Sequence, residues 1–399
     1  MSELKVLSLN CWGLRFFSKQ RPERLRAIAD RLASTSYDIV ALQEIWVESQ
    51  DWRYMRHVCA QEYPYGKFFL TGAFGSGLAV MSKHPIVGME THMFRLTGTP
   101  IFVHQGDWIA GKGCGCVTIM HPQLGEVDVW DTHFTALGGQ MGPEIQRTER
   151  TFEAYELAQR CARSAALGRH VICTGDFNSL SSSLCMGLLR NVGGLRDSYF
   201  DVYDAESASG ITCDSPANTW SHTKKLDELA LRQSGKRIDF ILYRGPATQP
   251  NQLRCVSHQV GFKELVPTLN VSYSDHFSVE ALFRISDAQV EAPAAALEEE
   301  ARADVIECAI GILQEALKRS CRTQSRHMRW FYLMLGGAGL LVAGNVCASA
   351  WLHHGTSVGP SLVTSALLVA CSWAGTTALY SGVVWGEWYK RVYSNSNRI

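Results

Sequence analysis

Hydrophobic and polar positions alternate in short runs along the first 285 residues of this 399-residue chain. Eight runs are rich in β-branched residues or leucine and end at turn residues, which predicts strands. The predicted strands are 4–9, 38–42, 76–81, 115–120, 126–132, 170–175, 237–243 and 276–284. Helical periodicity covers 21–34, 48–61 and 144–167. Because strands and helices alternate, several strands adjoin one another and no Gly-rich dinucleotide fingerprint follows the first strand, the pattern favours a two-sheet α/β sandwich.

The last fifth of the chain has a different pattern. Between Arg329 and Glu387 there is no Asp, Glu, Lys or Arg. Two apolar runs, 330–352 and 361–385, are each long enough to cross about 30 Å of hydrocarbon as a helix. We therefore expect a C-terminal transmembrane helical hairpin. Small residues are expected to let its helices pack closely: Gly336, Gly337, Gly339, Gly344, Ala366, Ala370 and Ala374.

These patterns divide the chain into five predicted segments. Residues 1–285 form the globular domain, and 286–329 hold an Ala-, Pro- and Glu-rich linker followed by an amphipathic helix over 297–317. The two spans come next, and residues 386–399 form a tail.

The charges that flank the two spans predict their orientation. Lys and Arg residues lie on both outer flanks and are absent from the link between the spans, so both termini should face the cytosol. They are Lys318, Arg319, Arg322, Arg326, Arg329, Lys390, Arg391 and Arg398. The globular domain should then face the cytosolic leaflet of an endomembrane such as the endoplasmic reticulum. We also expect the basic stretch before the first span to attract anionic phospholipids.

Composition narrows the classes of function. Lys plus Arg and Asp plus Glu both number 38, so the net charge is zero, which argues against a nucleic-acid partner. The 13 cysteines show no framework spacing and are expected to be reduced thiols. Because the first residues lead directly into a strand pattern, we expect no signal peptide.

Polar side chains close several of the predicted strands, where open sheets place their sites. Glu44 with an oxygen of Asn10 suits Mg²⁺, and His276 beside Asp275 is the type of residue that activates water. Asn178 and His133 could supply donors to a phosphate. The full set in chain order is Asn10, Glu44, His133, Asp176, Asn178, Asp239, Asp275 and His276.

Six short strings carry a family resemblance. They are Leu9-Asn10-Cys11-Trp12-Gly13, Leu42-Gln43-Glu44, Thr132-His133, Gly175-Asp176-Phe177-Asn178, Arg237-Ile238-Asp239-Phe240 and Ser274-Asp275-His276. Together they resemble the endonuclease/exonuclease/phosphatase superfamily. Within it the chain is similar to the neutral sphingomyelinases and the fungal inositol phosphosphingolipid phospholipases C, on the further strings 77–86 and 106–113 and the C-terminal pair of spans.

This resemblance implies a four-layer α/β sandwich, Mg²⁺ dependence and hydrolysis of sphingolipids in the cytosolic leaflet. It implies that Asn10 and Glu44 lie at the metal, and that Asp275 orients His276 as the general base. His133, Asp176 and Asn178 become phosphate contacts with Asp239 in support, and Asp107 with Lys112 a regulatory or phosphate-approach pair. Which group protonates the leaving alcohol, His133 or a metal-bound water, stays open.

The string 106–113 also matches most of a Walker A loop, Gly-x₄-Gly-Lys. Gly113 stands where Ser or Thr should hold Mg²⁺, and a strand rather than a helix is predicted next, so nucleotide binding is disfavoured.

Four alternatives stay open at this point. A membrane-tethered lysophospholipase C and a phosphoinositide phosphatase share the expected chemistry, although a phosphatase should carry its own substrate-reading strings. An apurinic-type nuclease is disfavoured by net neutrality and by the hairpin. A catalytically dead membrane scaffold is disfavoured by the completeness of the polar set.

Overall fold

The computed structural model describes residues 3–72, 75–98, 110–136, 144–247, 253–285, 295–351 and 358–396. Within these ranges the chain forms one compact unit that extends to Ala309 and a second that begins at Ile310. The first unit therefore reaches beyond the predicted domain end at residue 285.

Two six-stranded mixed sheets form the first unit. The first sheet has the order β11-β12-β1-β2-β4-β3, and only β1 and β2 pair in parallel. Its strands are β1 (Glu3–Asn10), β2 (Ile39–Gln43), β3 (Tyr65–Phe69), β4 (Leu78–Ser82), β11 (Leu253–Gly261) and β12 (Ser278–Ile285).

The second sheet has the order β5-β6-β7-β8-β10-β9, and only β7 and β8 pair in parallel. Its strands are β5 (Ile86–Met93), β6 (Gly113–His121), β7 (Gly125–His133), β8 (His170–Asp176), β9 (Arg196–Asp197) and β10 (Asp239–Arg244).

Alternation along the strands explains how the sheets pack. Val6 and Ile39 join side chains of the second sheet, such as Val129, in one fully buried cluster. The adjacent Leu7 and Val40 point the other way, into a cluster with α1. Because successive side chains point to opposite faces of a strand, each sheet is buried on both faces. The result is the expected four-layer sandwich of two packed sheets flanked by helices.

The helices of this unit are short except for one. They are α1 (Arg21–Ala33), α2 (Arg53–Val58), α3 (Glu144–Ala166), α4 (Leu184–Asn191) and α5 (Glu228–Gln233), with 3₁₀ turns at Ala208–Gly210 and Ser221–Thr223. The predicted helix over 48–61 is a π turn, Glu48–Trp52, that runs into α2.

All eight predicted strands are confirmed, whereas β3, β5, β9 and β11 were not predicted. Strands β3, β5, β9 and β11 are the four sheet edges. An edge strand is covered on fewer sides, and β5 shows this in a mostly exposed sequence, IVGMETHM, that lacks a hydrophobic run.

The second unit consists of the remainder of α6 (Ala295–Trp351) and α7 (Val358–Ser396). Both helices contain segments long and apolar enough to cross a membrane. The amphipathic helix and the first span, predicted as separate elements, are one continuous helix. The helix begins at Ala295, two residues before the predicted start of the amphipathic helix at Leu297.

Helices α6 and α7 run antiparallel. Of the predicted glycines, Gly337 faces α7, because a Cβ atom there would lie 4.0 Å from Cys371 Sγ, but the closer contacts fall at two glycines that were not predicted. A Cβ atom at Gly375 would lie 3.3 Å from Met334, and one at Gly382 would lie 2.8 Å from Met328. Nothing lies within 4 Å of such an atom at Gly336, Gly339 or Gly344. Helical periodicity alone does not say which small residues face the partner helix.

Candidate active site

Strand direction gathers the polar residues at one edge of the sandwich. The parallel pair β1 and β2 ends at Asn10 and just before Glu44, and the parallel pair β7 and β8 ends at His133 and Asp176. Strand β10 runs antiparallel to β8, so its first residue, Asp239, lies opposite Asp176. Lys112, Asn178, Asp275 and His276 lie at the same edge; Asp107 lies outside the described residues.

Asn10 connects the two sheets. Its buried Nδ2 donates to Glu44 Oε1 at 3.1 Å and to Asp176 Oδ2 at 3.0 Å. The Trp12 backbone N–H donates to Asn10 Oδ1 at 3.0 Å, which fixes the orientation of the amide. The predicted metal residues and the predicted phosphate contacts therefore belong to one hydrogen-bonded site.

Asp239, and not Asp275, holds the catalytic histidine candidate. His276 Nδ1 lies 2.9 Å from Asp239 Oδ2, which also accepts a hydrogen bond from Thr212 Oγ1. The nearest described partner of the Asp275 carboxylate is Lys224 Nζ, at 3.4 Å. The expectation that Asp275 orients His276 is thus corrected. The chain bends at Ser274 and Asp275 before His276 forms an isolated bridge with Cys213, so neighbours in sequence need not be partners.

The charges around His276 favour its protonated form. Burial alone would lower the pKa of His276, but the Asp239 carboxylate, with Cys213 and Asp176, raises it well above the usual histidine value. Burial raises the pKa of Asp176 to about 7, and the Asp239 carboxylate adds to that rise. His276 Nε2 lies 3.8 Å from Asp176 Oδ2. Asp176, which exchanges its proton near neutrality, therefore faces a histidine whose protonated form is favoured.

His133 has the opposite electrostatic environment. Burial lowers the pKa of His133 well below the usual value, and the positive charges of Lys112 and His276 lower it further. Its Nε2 lies 3.5 Å from Asp176 Oδ2, and its buried Nδ1 has no hydrogen-bond partner within the described part of the chain. A neutral imidazole can donate one hydrogen bond to a phosphate, but it holds no surplus proton for a leaving group.

Glu44 fits a cation ligand. Its buried Oε2 has no hydrogen-bond partner among the residues that the structure describes, and burial together with the Asp275 carboxylate raises the pKa of Glu44. A buried acceptor oxygen that lacks a donor and faces a second carboxylate is stabilised by a positive ion. The strained backbone at Glu44, with φ of 60°, is supported by Gly13, where a Cβ atom would lie 2.1 Å from the Glu44 carbonyl oxygen.

A second group could also hold a metal ion. Ligand atoms of Asp176, Asp239 and His276 lie within 4.8 Å of one another. Because Asp239 and His276 already bond to each other, a cation there would compete with the shared proton. Glu44 offers an unpartnered oxygen and is the better ligand, with Asp176 between the two positions.

Lys112 lies at the site directly before the first residue of β6. Its side chain is buried, and its charge acts on both Glu44 and His133. At Gly113 a Cβ atom would lie 2.3 Å from the His92 carbonyl oxygen, so the pairing of β5 with β6 requires glycine there. This close approach explains the missing Ser or Thr of a Walker A loop.

Asn178 follows β8 in a left-handed conformation, with φ of 45°. Its backbone N–H donates to Asp176 Oδ1 at 2.9 Å, and its Nδ2 donates to the Phe134 carbonyl oxygen at 3.0 Å. The amide therefore ties the end of β8 to the end of β7.

Sequence reasoning missed Arg24 and Thr212. The fully buried Arg24 guanidinium donates to the carbonyl oxygens of Cys11 and Tyr273, at 3.1 and 2.8 Å, and so joins the loop after Asn10 to the loop before His276. Its place on the helical face shared with Leu25 and Ile28 was a usable signal, because an arginine on an apolar face needs buried partners. Thr212 lies in a loop without any periodic pattern.

Comparisons with known proteins show the family to which the chain belongs. Residues 7–276 match the model of the Endonuclease/Exonuclease/phosphatase family, so the chain belongs to that family. It is a phosphoric diester hydrolase by class.

Within the family, the chain is a member of the neutral sphingomyelinase group. It is 32% identical to the inositol phosphosphingolipids phospholipase C of Schizosaccharomyces pombe, over 88% of this chain and 84% of the relative. It is 29% identical to sphingomyelin phosphodiesterase 2 of Homo sapiens, over 94% of this chain and 86% of the relative.

Solved structures support the fold. A Staphylococcus aureus beta toxin variant with bound magnesium ions superposes with a TM-score of 0.56 at 19% identity, covering 72% of this chain and 100% of the toxin chain. Sphingomyelinase C from Streptomyces griseocarneus gives 0.52 at 20% identity, over 70% and 99%.

Proposed function

We propose that this protein is a membrane-associated, Mg²⁺-dependent phospholipase C that hydrolyses sphingolipids to ceramide and a phosphorylated head group. The observation that carries the proposal is the position of Asp176. Its carboxylate accepts a hydrogen bond from Asn10, which also binds Glu44, and it faces the imidazole of His276. A cation ligand and a base for water thus flank one place where a phosphodiester can bind. The names of the relatives supply the proposed substrates, sphingomyelin and inositol phosphosphingolipids.

Mg²⁺ is the proposed cofactor because the ligands are oxygen atoms. Glu44 would bind it, with Asn10 beside it and Asp275 nearby as a second negative charge. When bound, such an ion withdraws charge from the phosphoryl oxygens.

His276 is the proposed general base. Asp239 accepts the hydrogen bond from Nδ1–H, which leaves Nε2 as the atom that takes a proton from water. The water oxygen attacks phosphorus, the bond from phosphorus to the ceramide oxygen breaks, and ceramide leaves as the alcohol once it is protonated. The lowered pKa of His133 argues against His133 as the source of that proton.

The remaining site residues are proposed to hold the phosphate. Lys112 brings a buried positive charge, His133 one N–H donor and Asn178 its amide. The family resemblance implies that Asp107 would act with Lys112, either in regulation or in guiding the phosphate into the site, and it is the sole basis for this role of Asp107.

The membrane arrangement is also part of the proposal. Both termini would face the cytosol, with the catalytic unit at the cytosolic leaflet of an endomembrane. Arg322, Arg326 and Arg329 lie on one face of α6 together with Trp330, which supports binding of anionic phospholipid head groups.

A substrate panel tests the proposal. Full-length protein in detergent micelles is given sphingomyelin, inositol phosphoceramide, lysophosphatidylcholine, a phosphoinositide or abasic DNA, with and without Mg²⁺. We expect ceramide from at least one sphingolipid, only with Mg²⁺, and none from a His276→Asn control. Cleavage of lysophosphatidylcholine, the phosphoinositide or DNA in place of the sphingolipids would instead support the corresponding alternative.

A further inference from the structure

Two phenylalanines in the loop between β1 and α1 are exposed to an unusual degree. Phe16 is 85% exposed and Phe17 is 78% exposed, and Leu14 beside them is 37% exposed. Removing an aromatic ring from water is strongly favourable, so two adjacent rings left in solvent indicate a surface that something else covers.

The loop is held firmly although its tip is exposed. Arg21 Nε donates to the Gly13 carbonyl oxygen at 2.9 Å, and Arg24 donates to the carbonyl oxygens of Trp12 and Lys19, at 2.7 and 2.9 Å. Both guanidinium groups are buried. Hydrogen bonds from the Phe17 and Ser18 backbone N–H groups to the Leu14 carbonyl oxygen, at 3.3 and 3.0 Å, close the tip into a turn. The rings are therefore presented by a preformed turn.

The turn begins at the edge of the candidate active site. Trp12 donates its backbone N–H to Asn10, and Leu14 follows two residues later. Val87 and Leu167 are also exposed apolar residues, at 54% and 61%, but they lie toward the opposite end of the sheets, beside Thr118 and just before the start of β8. The turn that carries the exposed rings thus follows Asn10 at the same end of the sheets as the candidate site.

The charge of the loop favours a lipid surface as the occupant. Residues 11–22 contain Arg15 and Lys19, both exposed, and no Asp or Glu. The Arg15 guanidinium lies 5.5 Å from the centre of the Phe16 ring. Aromatic rings enter the acyl boundary of a bilayer, while adjacent cations bind lipid phosphates.

We propose that the turn 14–17 docks on the phospholipid bilayer, with Phe16 and Phe17 inserted at the level of the acyl boundary beside the site. The inference rests on the proposed function, because a phosphodiester in a sphingolipid head group lies at that boundary. Docking there brings the head group to Asn10 and Glu44 without removing the ceramide chains from the bilayer.

A crosslinking experiment tests docking without any readout of activity. A photoreactive phenylalanine analogue replaces Phe17 in the full-length protein, which is reconstituted in phosphatidylcholine vesicles with sphingomyelin. The matched control carries the same analogue in place of Leu167. We expect lipid adducts at position 17 at several times the yield at position 167. Equal yields at the two positions would overturn the proposal.

A kinetic experiment follows the consequence for turnover. In the F16S/F17S double variant, hydrolysis of bilayer sphingomyelin should fall about tenfold or more, because much apolar contact area is lost. The rate at which this variant hydrolyses a water-soluble short-chain analogue should stay within about twofold of the rate of the unaltered protein. The control variant V87S/L167S should hydrolyse both the bilayer substrate and the short-chain analogue within about twofold of the unaltered protein. Equal losses on both substrates would mean that the turn supports the site and does not dock. If no phosphosphingolipid is hydrolysed by the unaltered protein, the proposed function fails while the crosslinking result still stands.

Discussion

His276 illustrates how residue identity and residue partnership differ in their predictability. The string Ser274-Asp275-His276 marks the histidine from sequence, but the carboxylate that holds it comes from β10, 37 residues earlier. Asp275 instead lies where its charge acts on Glu44. The types of residue in the site were therefore predictable from sequence. The Asp239–His276 pair was not, because it depends on the antiparallel pairing of β8 with β10.

The pH dependence of activity tests this pair. Because Asp239 raises the pKa of His276, the base form appears at higher pH than for an ordinary histidine, and kcat/KM should rise with pH through that raised value. Asp239→Asn removes the charge that favours the imidazolium. The rising limb should then shift to lower pH, while the plateau falls by roughly 10²–10⁴-fold.

The matched control is Asp275→Asn. In this variant the rising limb of the kcat/KM pH profile should keep its position, while the Mg²⁺ concentration needed for activity rises. The measurement is kcat/KM between pH 5 and 10 on a micellar substrate. A limb that moves in Asp275→Asn and stays in Asp239→Asn would contradict the pairing.

At the scale of elements, burial separates what sequence could and could not predict. Central strands such as β1 and β8 are buried on both faces and show a hydrophobic run, whereas the four edge strands lack one or are only partly covered. The amphipathic helix and the first span form one helix, α6, because residues 312–335 contain no Gly or Pro that would end it. Its start at Ala295 reflects the high helix propensity of Ala, Leu and Glu, which outweighs a linker-like composition.

The first turns of α6 give a prediction about stability. Val305 lies 3.2 Å from the Cβ position of Gly187 on α4, and Ala309 is fully buried, so this part of α6 packs within the first unit. A chain that ends at Ile285 loses this packing, and a chain that ends at Ala309 retains it. Full burial of a valine contributes about 1.5–3 kcal/mol, and Val305, which is half-buried, contributes a part of that while Ala309 adds to it.

We therefore expect the Ile285 truncation to melt several degrees below the Ala309 truncation, at about 2–4 °C per kcal/mol for a unit of this size. Thermal unfolding followed by circular dichroism measures the difference. Val305→Ala in the Ala309 truncation serves as the partial control and should lie between the two. Identical midpoints for the two truncations would show that α6 contributes nothing to the catalytic unit.

At the scale of the whole molecule, one chain combines a soluble type of hydrolase fold with two candidate membrane spans. The spans were visible in sequence from the absence of charge over more than fifty residues, which is the least ambiguous pattern in the chain. The spans carry none of the site residues. They are expected to raise the effective concentration of the active site at the lipid surface.

The central claim is that the site around Glu44 and His276 hydrolyses a sphingolipid at phosphorus, and isotope transfer from water tests it most directly. Full-length protein is incubated with sphingomyelin or inositol phosphoceramide and Mg²⁺ in H₂¹⁸O. The masses of the phosphorylated head group and of ceramide are then measured by mass spectrometry. Glu44→Gln, nearly isosteric, is compared with Glu48→Gln, an exposed glutamate four residues further on. We predict one ¹⁸O atom in the released head-group phosphate, none in ceramide, loss of both products in Glu44→Gln and full activity in Glu48→Gln. Label in ceramide, or undiminished turnover in Glu44→Gln at low Mg²⁺, would contradict the account.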